Sequence, residues 1–339
     1  MLVDYFLLFT PMKATPPASP WPFLVTAQRL VAATALLLAS SLTAATSGVV
    51  GFYNVQIPIG NSAWVSGLVT QDLYQGTALS VTADVDGKAL VQFSSPGWTG
   101  SEFTLHYAEP QSGTCQGLAI DILANTTDTL KLNTTPAAAG LSNGMVFIVR
   151  KHTTLGGLFP DGGGFAPFSD TISIFGTNGK QSSYFFSTIS NGWSNVLFVD
   201  SSNVIIRPGQ GFVFSSGTAR TVTLGKGEVC HVKTTPTKIT ATALVPNLVG
   251  ALNPLGSTTT TLGALGVTSS LGVFSDSIVP LGTVGNLTQL GTYLSNGSSL
   301  VNSATFQSGD NVSLGAGASV VINVGATKNV TLSPVTVSP

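Results

Sequence analysis

The chain has 339 residues, only 8% of them charged, and a formal net charge of −1 at pH 7, whereas an average soluble protein carries about 25% charged residues. With no basic run beyond Arg150-Lys151-His152, it lacks the clustered cations that displace phosphate counterions, which excludes a nucleic-acid partner. Its 38 Gly and 18 Pro, with Glu only at 102, 109 and 228, suit many short strands and tight turns rather than long helices.

Residues 30–42 read LVAATALLLASSL, an apolar stretch preceded by Lys13 and Arg29 and followed by the small-residue exit Thr43-Ala44-Ala45. This pattern predicts a signal peptide over residues 1–45, with Met12 as the natural start and a mature chain beginning near Thr46. Behind it no run approaches the ~20 apolar residues of a spanning helix. The mature chain is therefore expected to be exported, to the extracellular space, cell surface or periplasm, with no transmembrane segment. Export permits a disulfide between Cys115 and Cys230. In the chain-entropy model that bond is worth nominally ~4–5 kcal/mol, but two unpaired cysteines in strands fit the sequence equally.

In chain order, residues 46–150 read as an N-terminal β-domain. Alternating stretches occur at 53–57 and 63–69. Asp86-Gly87, between 79–83 and 89–93, predicts a two-residue hairpin turn. Further strands are predicted over 117–123, 129–132 and 145–149.

The rest of the chain carries an internal repeat. Thr154-Leu155-Gly156-Gly157-Leu158 recurs as Thr261-Leu262-Gly263-Ala264-Leu265, and Phe168-Ser169-Asp170 recurs as Phe274-Ser275-Asp276. Pro208-Gly209-Gln210-Gly211-Phe212 matches Leu314-Gly315-Ala316-Gly317-Ala318, and Thr221-Val222-Thr223-Leu224 matches Asn329-Val330-Thr331-Leu332. The four offsets are 107, 106, 106 and 108 residues. They predict an all-β protein in which the N-terminal β-domain precedes two repeated sandwich-like units, 151–240 and 241–339. The second unit has no counterparts of Phe185, Phe186 and Trp193.

Candidate chemistry is sparse. His106, His152 and His231 are far apart and lack metal-ligand spacing, so neither a metal nor another cofactor is expected. Asp84-Val85-Asp86-Gly87 reads as a turn rather than a calcium loop, and Asp170 and Asp276 read as turn-capping residues. Trp98, Tyr184, Phe185 and Trp193 are candidates for stacking on a glycan or partner, weighed against ordinary core packing. Glu102 and His106 would share one face of a strand and form a candidate acid–base pair.

Three blocks carry a resemblance: I-V-R-K-H-x-T-L-G-x-L-F-P at 148–160, Asn191-Gly192-Trp193, and I-R-P-G-Q-G-F at 206–212. With N-L-V-G at 247–250 and Asn253-Pro254 following, their order resembles an uncharacterised, paralogous family of exported proteins best known from verrucomicrobial bacteria. The resemblance covers roughly residues 50–335. It implies an exported β-protein and supplies no activity or site residue. The P-G-Q-G-F turn is also similar to turns in modules of large secreted adhesion proteins. The expectation is a structural or interaction protein of the cell envelope or extracellular matrix, binding other surface proteins or glycans. A carbohydrate-binding module and a secreted hydrolase are the alternatives.

Overall fold

A computed structural model describes residues 50–57, 59–65, 72–176, 180–229, 236–250, 260–281, 289–314 and 319–333. The leader 1–45, Cys230, His231 and Asn253-Pro254 lie outside these residues. The protein is all-β, with 47% strand and 7% helix.

Two strands, β1 (Val50–Ile57) and β2 (Gly60–Val65), come first. They are followed by β3 (Asp72–Ala83), β4 (Ala89–Phe93), β5 (His106–Pro110), β6 (Ile120–Asn125), β7 (Thr129–Leu132) and β8 (Val146–Lys151). These six close into an antiparallel barrel in the order β3-β4-β7-β6-β5-β8. Closure leaves no unpaired edge. Alternation drives it: Ala89, Val91 and Phe93 on β4 and Leu130 and Leu132 on β7 all point inward and are buried. Phe93 sits edge-on to Trp98 and Phe147 inside the barrel. The β3–β4 connection spans 84–88 rather than two residues, because Ala83 pairs with Ala89. Asp84 Oδ1 there accepts from the amides of Asp86 and Lys88, and Gly87 supplies φ 74°.

After the barrel come β9 (Thr153–Thr154), β10 (Thr171–Phe175), β11 (Gln181–Ser187), β12 (Gly192–Asn195), β13 (Ile205–Ile206), β14 (Gly211–Ser216) and β15 (Arg220–Val229). They form a sheet ordered β12-β11-β10-β14-β2, with the ladders β15–β1 and β13–β9 beside it. Strands β1 and β2, which precede the barrel, thus complete the unit that follows it.

The last part holds β16 (Thr237–Ala241), β17 (Asn247–Gly250), β18 (Thr260–Thr261), β19 (Ser277–Pro280), β20 (Tyr293–Ser295), β21 (Leu300–Asn302), β22 (Ser313–Leu314), β23 (Ser319–Asn323) and β24 (Lys328–Leu332). Its sheet runs β21-β20-β19-β23-β17, with ladders β24–β16 and β22–β18. Strand for strand this is the pairing scheme of the preceding unit. Where β17 leads to β18 through residues 251–259, the path from β2 to β9 runs through the whole barrel.

This pairing redraws the boundaries expected at 150 and 240. Strands β1 and β2 pair with β15 and β14, and 237–241 pair with β24. Phe214 and Ile322 lie opposite Ile172 and Ile278, a correspondence of 108 residues, while residues 315–318 of the third repeat block lie outside the described residues. The first unit's core is aromatic (Phe159, Trp193, Phe212, Phe214), and the second's is aliphatic (Leu262, Ile278, Val320, Ile322).

If the barrel is an insertion within the first unit, replacing 66–152 by the 251–259 segment should leave a protein that unfolds in one cooperative step with native near-UV circular dichroism. Loss of that cooperative transition would contradict the insertion.

Candidate functional site

Ladder pairing places Asp72 opposite Arg150, Arg150 opposite Tyr107, and Tyr107 opposite Asp121. Directly opposite residues share a sheet face. Their neighbours Ala108 and Val149 belong to the barrel core, so this polar row lies on the barrel's outer wall. Its centre is buried nonetheless, with Tyr107 1% exposed, Arg150 5% and nearby Glu109 0%, while Asp72 at one end is exposed and Asp121 at the other is half-buried. Arg150 Nε meets Asp72 Oδ1 at 2.6 Å, and Arg150 Nη1 meets Glu109 Oε2 at 2.6 Å. Burial, with the Glu109 carboxylate beside it, pushes the Tyr107 hydroxyl well above its usual range, so the ring stays neutral.

Asp121 ends the row and leaves the barrel. Both of its oxygens accept from the Arg207 guanidinium, at 2.6 and 2.7 Å, a bidentate pair. His152 Nε2 lies 3.0 Å from Asp121 Oδ1. The contact lacks the geometry of a directed hydrogen bond. The Tyr107 ring covers the imidazole at 4.9 Å. Burial alone would raise the Asp121 carboxyl, but His152 and Arg207 outweigh it and hold it well below the usual carboxylate range.

Arg207 opens the P-G-Q-G-F turn, and that turn touches all three modules. Its first residue grips the barrel. Gln210 Nε2 donates to Phe175 O in the first unit, and Gly209 O accepts from Gly250 N in the second. Gly209 has φ 76°, and a Cβ there would come within 2.9 Å of Ile239 in the second unit. Only glycine allows both the turn and the close approach. A second contact joins the barrel to the second unit, where Lys238 N donates to Gly117 O at 3.0 Å. The motifs at 148–152 and 206–212 are thus brought together as a three-way joint.

A second arrangement occurs once in each unit. Asp170 Oδ2 accepts from Ala166 N at 2.8 Å and meets Arg220 Nε at 2.7 Å. Asp276 Oδ2 accepts from Gly272 N at 2.6 Å and meets Lys328 Nζ at 2.5 Å. Each caps its own turn, as the sequence suggests, and each buried carboxylate also pairs with a half-buried cation at the first residue of a distant strand. Two residues before each aspartate is a phenylalanine with positive φ: Phe168 at 62° and Phe274 at 52°. Phe198 and Phe306 adopt the same conformation in another pair of matched turns. There Asn195 Oδ1 accepts from the amides of Leu197 and Val199, and Asn302 Oδ1 from those of Ala304 and Thr305. A bulky side chain in the left-handed region costs on the order of 1–3 kcal/mol. All four rings are exposed.

The stacking candidates fare differently. Trp98 is buried in the barrel, edge-on to Tyr74 and Phe103. Trp193 is buried in the first unit and donates Nε1 to Phe159 O at 3.0 Å. These two are corrected to core residues: an indole buries more apolar surface than any other side chain here, and Trp193 finds a partner for its N–H inside. Tyr184 packs against the same core. Phe185, half-buried like Tyr184, lies between Phe168 at 5.7 Å and Phe198 at 5.3 Å, with interplanar angles of 43° and 74°. Cys115 is a buried free thiol, and Cys230 lies outside the described residues. The Glu102–His106 pairing does not form on a strand, because β5 begins at His106. Glu102 caps the amide of Thr99, and His106 Nδ1 lies 2.7 Å from Thr104 O.

Among the described residues no group of three or more His, Cys, Asp or Glu is placed to hold a metal ion, and no helix is long and apolar enough to cross a membrane. No family model, curated protein or solved structure matches the chain.

Arg150→Met should lower stability by about 3–5 kcal/mol in denaturant unfolding, because it leaves the buried Glu109 carboxylate without its guanidinium. Adding Glu109→Gln should recover most of that loss. Equal instability of the single and double variants would contradict the ion network.

Proposed function

We propose that this protein is an exported structural and interaction component of the cell envelope or extracellular matrix, in which two copies of one sandwich unit and an inserted barrel act as a single rigid scaffold. The observation that carries this reading is the joint at residues 207–211, where one turn holds the barrel and both units. Seven carboxylates, those of Asp72, Asp84, Asp86, Glu109, Asp121, Asp170 and Asp276, make ion pairs that tie strands or modules together. Acids held this way brace a framework. The order of the sequence blocks, which resembles a family of exported proteins, supports the same reading, as does a net charge near zero, which favours association.

Expressed with its leader in a Gram-negative host, the protein should be recovered from the envelope or medium with an intact mass beginning near Thr46. Recovery in the cytoplasm with residues 30–42 still attached would contradict the proposal.

A further inference from the structure

The first unit presents an apolar surface that none of the contacts above uses. Phe168, Phe185 and Phe198 form a connected row of rings. The turn carrying Phe198 also exposes Val196, Leu197 and Val199. Phe168 is 44% exposed and Phe198 65%. The rings tilt against one another instead of lying coplanar, which suits an apolar protein surface better than a flat sugar face. The turns are not loose. Asn195 N donates to Val199 O at 3.1 Å and Phe198 N to Asn195 O at 2.9 Å, while the Asn195 side chain holds two further amides. Phe168 N donates to Phe186 O at 3.0 Å. Two rigid turns therefore hold bulky aromatic rings in solvent on backbone that glycine would adopt without strain.

We infer that this surface is a self-association site, at which a second copy of the chain docks its own Phe168–Phe185–Phe198 row. The inference rests on the interaction role proposed above and names its partner. Phe168, Val196, Leu197, Phe198 and Val199 leave on the order of 500 Å2 of apolar surface exposed, near the top of what a monomer's largest patch usually reaches. Two such faces would bury about 1,000 Å2, the lower bound of a specific, weak interface. Charge favours a like partner: the chain is nearly neutral, so two copies meet without net repulsion. Aromatic anchors at the centre of an interface carry most of its affinity. The second unit repeats the geometry at Phe274 and Phe306 but replaces Val196-Leu197 by Ser303-Ala304-Thr305, and so presents a smaller apolar face.

The test is sedimentation velocity of the leader-free chain up to concentrations on the order of 100 µM, a range that captures weak dimers. Wild type should shift from monomer to dimer. Phe168→Gly and Phe198→Gly should each weaken dimerisation by roughly tenfold or more, with the melting temperature unchanged or raised, since glycine fits the left-handed backbone. Phe306→Gly relieves the same strain in the second unit and should leave the dimer intact. A wild type that stays monomeric, a Phe198→Gly variant that dimerises normally, or a Phe306→Gly variant that loses the dimer would each overturn the inference. Leader removal and envelope recovery of Phe198→Gly, followed alongside, decide the broader proposal independently, because export does not depend on this face.

Discussion

The architecture depends on a guanidinium reaching out of one module into another. Arg207 binds both oxygens of Asp121 from a turn whose next residues hydrogen-bond to each sandwich unit. The barrel is spliced between two strands of the first unit, so the chain leaves that unit and must return to it at a fixed place. A bidentate pair suits this task because it sets direction as well as distance. Tyr107, Arg150 and Glu109 continue the network along the barrel's outer wall, where burial raises the cost of any missing partner. The chain has few charges, and several of its ion pairs sit where one module or distant strand meets another.

Much of the β-framework was legible in the sequence because alternation is local. The pattern of Ala89, Val91 and Phe93 needs only its own strand to be read, and the repeated Phe-Ser-Asp turns announce themselves by spacing. The insertion was not legible. Residues 50–65 alternate like any strand, and nothing nearby says that their partners lie beyond the barrel. The Asp121–Arg207 pair was invisible for the same reason, since its members are 86 residues apart. Trp98 and Trp193 drew attention as binding aromatics although their size makes them core residues, whereas the exposed, left-handed placement of Phe168 and Phe198 was not legible because nothing in their identity marks it. Glycine would have marked it.

The two units differ in a physically consistent way. The first has an aromatic core and an enlarged apolar turn, and the second an aliphatic core and a polar turn, on the same pairing scheme. Both keep the aspartate that caps a turn and binds a strand-opening cation, Arg220 in one and Lys328 in the other. That device belongs to the fold, while the enlarged aromatic surface belongs to one unit.

The central claim is that Asp121 and Arg207 act as a coupled pair joining the barrel to the sandwich units. A double-mutant cycle with Asp121→Asn and Arg207→Met, followed by denaturant unfolding, measures this directly. The account predicts a coupling of about 1–3 kcal/mol at pH 7. Because the folded-state carboxyl of Asp121 is held below its unfolded value of roughly 3.9, the coupling should be fully present above about pH 4 and fade as the pH falls below it. Additive single effects at pH 7, or a coupling indifferent to acid, would contradict the account.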